Sequence, residues 1–150
     1  MILREWKMMD GTPVNIDSIE VSIKKFISIG YEVHVGCDSK KYNDHTRMIT
    51  AICLRKPQDG ALVWWCNENE RLYPSVYMRL QKEMLTSLEV ADNLRNRGFD
   101  NVTVHLDINP DDRYLSNKFY DEFVGTVTGY NFKCLTKPVA FATAIADMYT

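Results

Sequence analysis

The stretch from Val33 to Ser39 (VHVGCDS) most constrains the fold, because it has the pattern of a half-buried strand that ends in a carboxylate. Apolar and polar residues alternate along it, which is typical of a β-strand with one buried face. A second stretch, Val102 to Asn109 (VTVHLDIN), repeats the pattern and carries Asp107 near its outgoing end. With a predicted helix between them, the two strands are expected to be adjacent and parallel. Asp38 and Asp107 then meet at the sheet edge where ligands commonly bind.

Composition restricts the class of protein. The chain has 150 residues, of which 45% are hydrophobic, so we predict one domain with its own core, residues 1–30 forming an N-terminal extension and helix. No apolar run approaches the ~20 residues of a membrane span, and charges interrupt the start where a signal peptide needs its apolar segment. We therefore expect a cytoplasmic protein. The four cysteines are far apart and are predicted to be buried thiols.

Periodicity and turn signals predict an α/β fold. Three strands joined by short turns form an antiparallel meander, and right-handed crossovers lead to two more strands. The result is a five-stranded mixed sheet of order 3-2-1-4-5 with helices on both faces. The predicted strands span residues 33–39, 48–54, 61–66, 102–108 and 132–135. The predicted helices span residues 15–29, 75–98, 116–128 and 140–150.

The long predicted helix carries an acid on its buried side. Ser75 is the expected N-cap, and at ~100° per residue a single arc carries the apolar side chains. That arc contains Val76, Leu80, Met84, Leu88, Ala91 and Leu94. Glu83 points into the arc, whereas Glu89 points to the opposite side. A buried carboxylate costs free energy unless something pairs with it, so Glu83 is the informative acid.

The last predicted helix carries the fourth acid. Its expected apolar face consists of Phe141, Ala142, Ile145, Met148 and Tyr149. Asp147 is expected on the other side, where small neighbours let the helix approach the sheet or a substrate closely.

Four converging carboxylates, Asp38, Glu83, Asp107 and Asp147, would repel one another, and at least one would keep its proton. A divalent hard cation resolves this repulsion, because Mg²⁺ and Mn²⁺ favour oxygen ligands and keep positions open for phosphate and water. Paired ions of this kind activate a water and stabilise the leaving oxygen in a displacement at phosphorus. We therefore predict a site for two Mg²⁺ or Mn²⁺ ions.

Several segments resemble the YkuK-type, ribonuclease H-like family of bacteria and their phages. They are VHVGCDSK, RLQKEMLTSLEVADNL, VHLDINPDDRYLSNK, VTGYNFKCLTKP and ATAIADM. The resemblance covers roughly residues 30–150 and implies a ribonuclease H-like fold. It also implies roles: Asp38 would bridge both ions, Glu83 and Asp107 would hold the ion beside the leaving group, and Asp147 would hold the ion that carries the attacking water.

Each site residue has an alternative interpretation. Asp38 and Asp107 would otherwise cap the loops after their strands, Glu83 would pair with an Arg or Lys, and Asp147 would be an exposed helix acid. The two histidines, His34 and His105, are expected to be hydrogen-bonded sheet residues under a helix, since hard-metal sites seldom use imidazole.

The predicted function is hydrolysis of a nucleic-acid phosphodiester by a two-metal nuclease. With a net charge of −2, the chain has no global basic field, so binding of nucleic acid requires a local basic groove. The candidate contacts to substrate are Lys40, Lys41, Asn109, Asn117, Lys118 and Lys137. Two alternatives stay open, a non-catalytic module that binds nucleic acid or protein, and a junction-resolving or exonucleolytic enzyme. No base-reading motif selects RNA, DNA or hybrid, and nothing indicates the oligomeric state.

Overall fold

A mixed sheet forms the centre of the computed structural model, which describes residues 4–150. The strands of the described residues are β1 (Lys7–Met8), β2 (Glu32–Lys41), β3 (Thr46–Lys56), β4 (Gly60–Glu70), β5 (Val102–His105) and β6 (Lys133–Leu135). The helices are α1 (Ile16–Ile27), α2 (Val76–Asn96), α3 (Tyr120–Gly129) and α4 (Ala142–Asp147), with a 3₁₀ helix at Leu115–Phe119. None of these helices is long and apolar enough to cross a membrane.

The sheet order is β1-β4-β3-β2-β5-β6. Its last five strands reproduce the predicted order, so the predicted α/β fold class is confirmed. The sixth strand, β1, was not predicted, because two residues are too short to show alternation. Lys7 pairs with Trp65 of β4, and the indole of Trp65 donates to the Met8 carbonyl at 2.9 Å.

The pairing of the central strands sets the position of the acids. β2 is antiparallel to β3 and parallel to β5, with Val33 opposite Val102 and Gly36 opposite His105. Two residues beyond that last pair, the chain reaches Asp38 on one strand and Asp107 after the other. The predicted juxtaposition of two parallel strands, each followed by a carboxylate, is therefore confirmed.

Helices cover both faces of the sheet. The larger core lies between the sheet and α1, α2 and α3, and it includes Ile19, Val35, Met84 and Phe123. On the opposite face, α4 places Ala142 and Ala146 against Ile49, Ala51 and Val63 of β3 and β4. The four cysteines are free thiols, and Cys37, Cys53 and Cys66 are buried as predicted, whereas Cys134 is half-buried.

Local signals located α2 correctly. Ser75 is its N-cap, and its hydroxyl accepts from the Met78 amide at 3.1 Å. Glu83 is 5% exposed, whereas the side chain of Glu89 is 47% exposed, as the predicted arc requires. The prediction that Val76 belongs to the buried arc is wrong, because Val76 is the first residue of α2 and is exposed.

Two other predictions differ from the structure. β5 ends at His105 rather than at residue 108, although the Leu106 amide still donates to the Leu135 carbonyl at 2.9 Å. The predicted apolar face of α4 is wrong in part, because Met148 is 73% exposed. The helix instead buries Ala142, Thr143 and Ala146, whose small side chains permit a close approach to the sheet.

Candidate metal centre

Three of the four predicted acids converge at one edge of the sheet. Asp38 lies near the end of β2, Glu83 in the third turn of α2, and Asp107 two residues after β5. One carboxylate oxygen from each residue lies within 4.8 Å of the oxygens of the other two. This spacing suits residues that share a cation.

The cluster is buried on one side and open on the other. Asp38 is 9% exposed and Glu83 is 5% exposed, whereas the side chain of Asp107 keeps 27% of its surface accessible. Charged groups that are shielded from water in this way are costly without a partner of opposite charge. Solvent, and therefore an ion or a substrate, reaches the cluster from the Asp107 side.

Burial and mutual repulsion shift the proton equilibria of this cluster. Burial raises the pKa of Glu83 to about 8, with a further increase from Asp107, although the Ser39 hydroxyl donates to its Oε2 at 2.5 Å and Arg79 also favours the carboxylate. Burial likewise raises the pKa of Asp38 well above its ordinary value, and the nearby Glu83 and Asp147 raise it further. At neutral pH the metal-free cluster therefore retains protons.

Asp147 is next to the cluster but not within its shared volume. It lies at the end of α4, is exposed, and can accept a hydrogen bond from a protonated Asp38. The Thr150 hydroxyl donates to its Oδ1 at 3.3 Å. Asp38 is thus the acid of the cluster that Asp147 contacts, and the role of Asp147 as a ligand stays a prediction.

Side chains of β3 and of the turn after β2 hold the residues that follow α4 in place. The Arg47 guanidinium donates to the Tyr149 carbonyl at 3.0 Å, and the Tyr42 hydroxyl donates to the Thr150 carbonyl at 2.7 Å. The Tyr149 ring stacks on Trp65 with centroids 4.4 Å apart. Sequence reasoning missed these contacts, because nothing in the local pattern of Tyr42 or Arg47 indicates a partner so distant along the chain.

The two histidines form a hydrogen-bonded pair, as predicted. His34 Nδ1 lies 2.9 Å from His105 Nε2, and the Ala142 amide donates to His105 Nδ1 at 3.1 Å. Burial lowers the pKa of His34 to about 4 and that of His105 to about 3. Both rings are therefore neutral at neutral pH, and they belong to the attachment of α4 rather than to the acid cluster.

Lys137 is the predicted substrate contact that lies closest to the acids. Its Nζ lies 2.8 Å from Asp107 Oδ1, and this contact raises the pKa of Lys137. The ammonium group neutralises one carboxylate of the cluster. Lys137 therefore competes with any cation that Asp107 would bind.

Of the other predicted substrate contacts, the two asparagines form hydrogen bonds within a loop, and the two lysines are exposed to solvent. Asn109 Oδ1 accepts from the Asp111 amide at 2.9 Å, and Asn117 Nδ2 donates to the Pro110 carbonyl at 2.8 Å. Both amides thus shape the loop after β5. Lys40 is exposed, with Nζ 5.5 Å from the centre of the Tyr42 ring, and Lys118 is exposed as well. Contact of these residues with substrate stays a prediction.

A polar cavity lies beside the start of α2. Its volume is about 200 Å³, and its lining includes Lys41, Thr46, Ser75 and Arg79. Among the described residues, Thr46 Oγ1 and Arg79 Nε are buried and have no hydrogen-bond partner. Sequence reasoning had selected Lys41 but missed the other two, since Thr46 and Arg79 lie on elements far apart in the chain. Groups of this kind suit an anion.

Another cavity lies at the other end of the sheet. It measures about 740 Å³ and is lined by residues at the starts of β2 and β5, among them Glu32, Val33, Asn101 and Val102. It does not include the acid cluster. Chemistry rather than volume therefore identifies the candidate site, because the cluster alone combines oxygen donors with strongly shifted pKa values.

The donor set at the cluster fits a hard divalent cation. Carboxylate oxygens are the ligands that Mg²⁺ and Mn²⁺ prefer, and binding of the ion would offset the burial and the repulsion that keep protons on Asp38 and Glu83. The cluster is shielded from water at Asp38 and Glu83 and is accessible at Asp107.

The chain is similar to one family model and to known proteins. A family model described as Ribonuclease H-like matches residues 15–150. The uncharacterized protein YkuK of Bacillus subtilis (strain 168) is 24% identical over 155 residues, which cover 90% of this chain and 88% of that protein. The crystal structure of RNase H1 from the halophilic archaeon Halobacterium salinarum NRC-1 is similar at 16% identity and a TM-score of 0.44, covering 77% of this chain and 93% of that one.

Proposed function

Because the chain belongs to the ribonuclease H-like family, we propose that it is a metal-dependent nuclease that hydrolyses a nucleic-acid phosphodiester. The observation that carries this proposal is the convergence of Asp38, Glu83 and Asp107 within 4.8 Å. Three carboxylates this close, two of them buried, are unfavourable as a purely structural feature. Binding of a cation would offset the unfavourable free energy of placing these three carboxylates together.

The acids would divide two ions between them. Asp38 is the central ligand, since Glu83, Asp107 and Asp147 all act on its pKa. Glu83 and Asp107 would share one ion with it, and Asp147 the other. Bound there, Mg²⁺ or Mn²⁺ would supply activation of a water and stabilisation of the leaving oxygen. The Ser39 hydroxyl and the burial of α2 hold Glu83 in its orientation.

The cavity at the start of α2 supports nucleic acid as the partner. Lys41 and Arg79 supply positive charge there, while Thr46 supplies an unpaired hydroxyl. The N-terminus of α2 adds its partial positive charge and carries no acid in its first turn. A backbone phosphate of the bound strand would satisfy all of these groups, and Arg79 is close enough to the cluster to affect the pKa of Glu83. The cavity at the start of α2 is thus proposed to be the local basic groove that nucleic-acid binding requires, since the net charge of the chain is not positive.

Lys137 favours the second candidate function, a module that binds nucleic acid without cutting it. Its ion pair with Asp107 offsets part of the acidic charge without any metal. In the nuclease, Lys137 would leave Asp107 and contact a phosphate oxygen instead.

The cytoplasmic location predicted from the sequence stays a prediction.

A cleavage assay tests the proposal. We expect the purified protein to cut at least one member of a panel of RNA, RNA–DNA hybrid, single-stranded DNA and branched DNA, with Mg²⁺ or Mn²⁺ but not with Ca²⁺, whose coordination geometry is looser. Asp38→Asn should remove nearly all activity, because the central ligand is lost. Glu89→Gln, on the exposed side of α2, is the matched control and should retain it.

The pattern of cleavage also separates the alternatives. Cutting restricted to branched DNA would assign a junction-resolving activity, and stepwise shortening from an end would assign an exonuclease. Tight binding with no cutting of any substrate would favour the binding module. Cutting that persists in Asp38→Asn would refute the assignment of the site.

A further inference from the structure

We propose that His105 is a positioning residue, which accepts the first amide hydrogen of α4 and, together with Gly36, seats the helix so that Asp147 reaches Asp38. This inference rests on the proposed function and identifies the contact that places Asp147 beside the other acids of the proposed site. His105 touches neither the acids nor a substrate, so its effect would pass through α4.

The start of α4 has no capping hydrogen bond from a side chain of its own segment. The N-cap residue is Phe141, whose side chain makes no capping hydrogen bond. The amides of a first helical turn need acceptors from outside the helix, and a buried amide without one is costly. His105 Nδ1 accepts from the buried Ala142 amide at 3.1 Å. An imidazole from β5 thus substitutes for the Ser, Thr or Asp that commonly caps a helix.

The orientation of the His105 ring is fixed by its second nitrogen. Because Nδ1 accepts a hydrogen bond, the ring proton lies on Nε2, which is 2.9 Å from His34 Nδ1. His34 Nδ1 must therefore accept this hydrogen bond. The proton of His34 is then on its Nε2, which lies 3.7 Å from Glu32 Oε2. The Phe141 ring packs edge-on against both imidazoles, with centroids 4.7 Å from His34 and 4.5 Å from His105. The His105 ring, which supplies the acceptor for α4, is thus held in place by both His34 and Phe141.

Gly36 brings the backbone of α4 directly onto β2. A Cβ atom at this position would lie 2.7 Å from Ala142 C, 2.7 Å from Thr143 N and 2.8 Å from Ala142 Cβ. Two of these neighbours are backbone atoms, so an alanine here would push the helix away from the sheet. Glycine is required by this contact and not by its backbone angles.

The spacing of the two elements connects this contact to the acids. From Thr143 to Asp147 a helix rises ~6 Å, and from Gly36 to Asp38 a strand advances ~6.6 Å. Anchoring α4 at Gly36 and His105 therefore brings Asp147 level with Asp38. The other end of the helix is held independently, by Arg47 and Tyr42. Loss of the His105 contact should displace α4 locally rather than detach it.

The experiment compares two replacements of His105 in the full chain. His105→Leu removes the acceptor at similar volume, whereas His105→Asn keeps an oxygen near the position of Nδ1. We expect faster amide exchange in α4 and about 10- to 100-fold weaker Mn²⁺ binding in the leucine variant. The asparagine variant should recover most of both. Gly36→Ala tests the same contact from β2 and should reproduce the leucine variant.

A double-mutant cycle shows whether the effect passes through Asp147. In the wild-type background Asp147→Asn should weaken Mn²⁺ binding, and in the His105→Leu background it should add nothing. Ile23→Val, a core change on the opposite face of the sheet, should leave Mn²⁺ affinity unchanged and so controls for general destabilisation.

Three results would overturn the inference. Equal Mn²⁺ affinity in wild type and His105→Leu would show that α4 needs no such acceptor. Additive losses for His105→Leu and Asp147→Asn would mean that His105 acts by another route, such as Asp107 two residues along the chain. Wild-type protein that binds no Mn²⁺ would refute the metal site of the proposed function, and this inference with it.

Discussion

Glu83 should make the metal-free protein less stable as the pH rises. Its pKa is about 8 in the folded protein, compared with an ordinary value of 4.5. Between these values the folded state keeps a proton that the unfolded chain has released, so each increase in pH favours unfolding. The stabilising effect of that proton is fully present below pH 4.5 and is lost as the pH passes 8. Glu83→Gln should therefore flatten the pH dependence.

The size of the effect follows from the burial of the side chain. One proton changes the free energy of unfolding by about 1.4 kcal/mol per pH unit, so the interval from 4.5 to 8 sets an upper limit of ~5 kcal/mol. Glu83 is 5% exposed, so solvent screens this term very little. Asp38 acts in the same direction, and because the two carboxyls interact, their combined effect is smaller than the sum of two separate groups.

Urea unfolding in the presence of a chelator, at pH 5.5 and at pH 8, measures the dependence. Glu83→Gln should be more stable than wild type by up to ~1.4 kcal/mol at pH 5.5, and this difference should grow by up to ~3 kcal/mol at pH 8. Mn²⁺ at 100 times Kd should reduce this difference at pH 8, since it stabilises the wild type by ~2.7 kcal/mol, whereas the variant has lost a ligand to the ion.

Glu89→Gln is the matched control on the same helix. Its side chain is 47% exposed and pairs with Arg4, so the change should cost about 1 kcal/mol or less and leave the pH dependence intact. Equal pH dependence in wild type and Glu83→Gln would refute the argument that burial raises the pKa. A larger effect at Glu89 would mean that the rotation of α2 is wrong.

Two further predictions concern the basic residues. Arg79→Gln should weaken binding of nucleic acid and reduce the dependence of log K on log salt by about one, because one phosphate contact is lost. Fluorescence anisotropy at several salt concentrations measures this slope. Lys24→Gln is the control, because Lys24 lines the cavity at the far end of the sheet. A slope that is unchanged in Arg79→Gln would show that Arg79 does not contact the nucleic acid. Lys137→Met should tighten Mn²⁺ binding, because Asp107 loses its competing ammonium group; unchanged affinity in calorimetry would show that Lys137 does not compete.

The parts of the fold that were predictable depend on local patterns. Alternation along VHVGCDS and VTVHLDIN located the two central strands and placed Asp38 and Asp107 at their outgoing ends. The 3.6-residue period of α2 put Glu83 on the buried side, where the structure has it. Periodicity reports which face of an element is buried, so an acid within an apolar stripe is visible without any knowledge of its partners.

What the sequence did not predict depends on contacts between distant elements. The buried face of α4 is set by the approach of Thr143 to Gly36, and hydrophobicity alone assigned that face to larger side chains. The cavity at the start of α2 joins Thr46 to Arg79, and the ion pair joins Lys137 to Asp107. Such pairs carry no local periodicity, so a single sequence gives no signal for them.

Three separate groups of contacts reduce the negative charge of the acid cluster when no cation is bound. Asp38 and Glu83 retain protons because they are buried, Lys137 neutralises Asp107, and Arg79 reduces the remaining field at Glu83. A cation that binds must displace the protons and the lysine, so its affinity depends on pH and on whether Lys137 finds another anion. A substrate phosphate is such an anion. Binding of metal and binding of nucleic acid are thereby coupled through one lysine, and this coupling would make the site fully charged only when both are present.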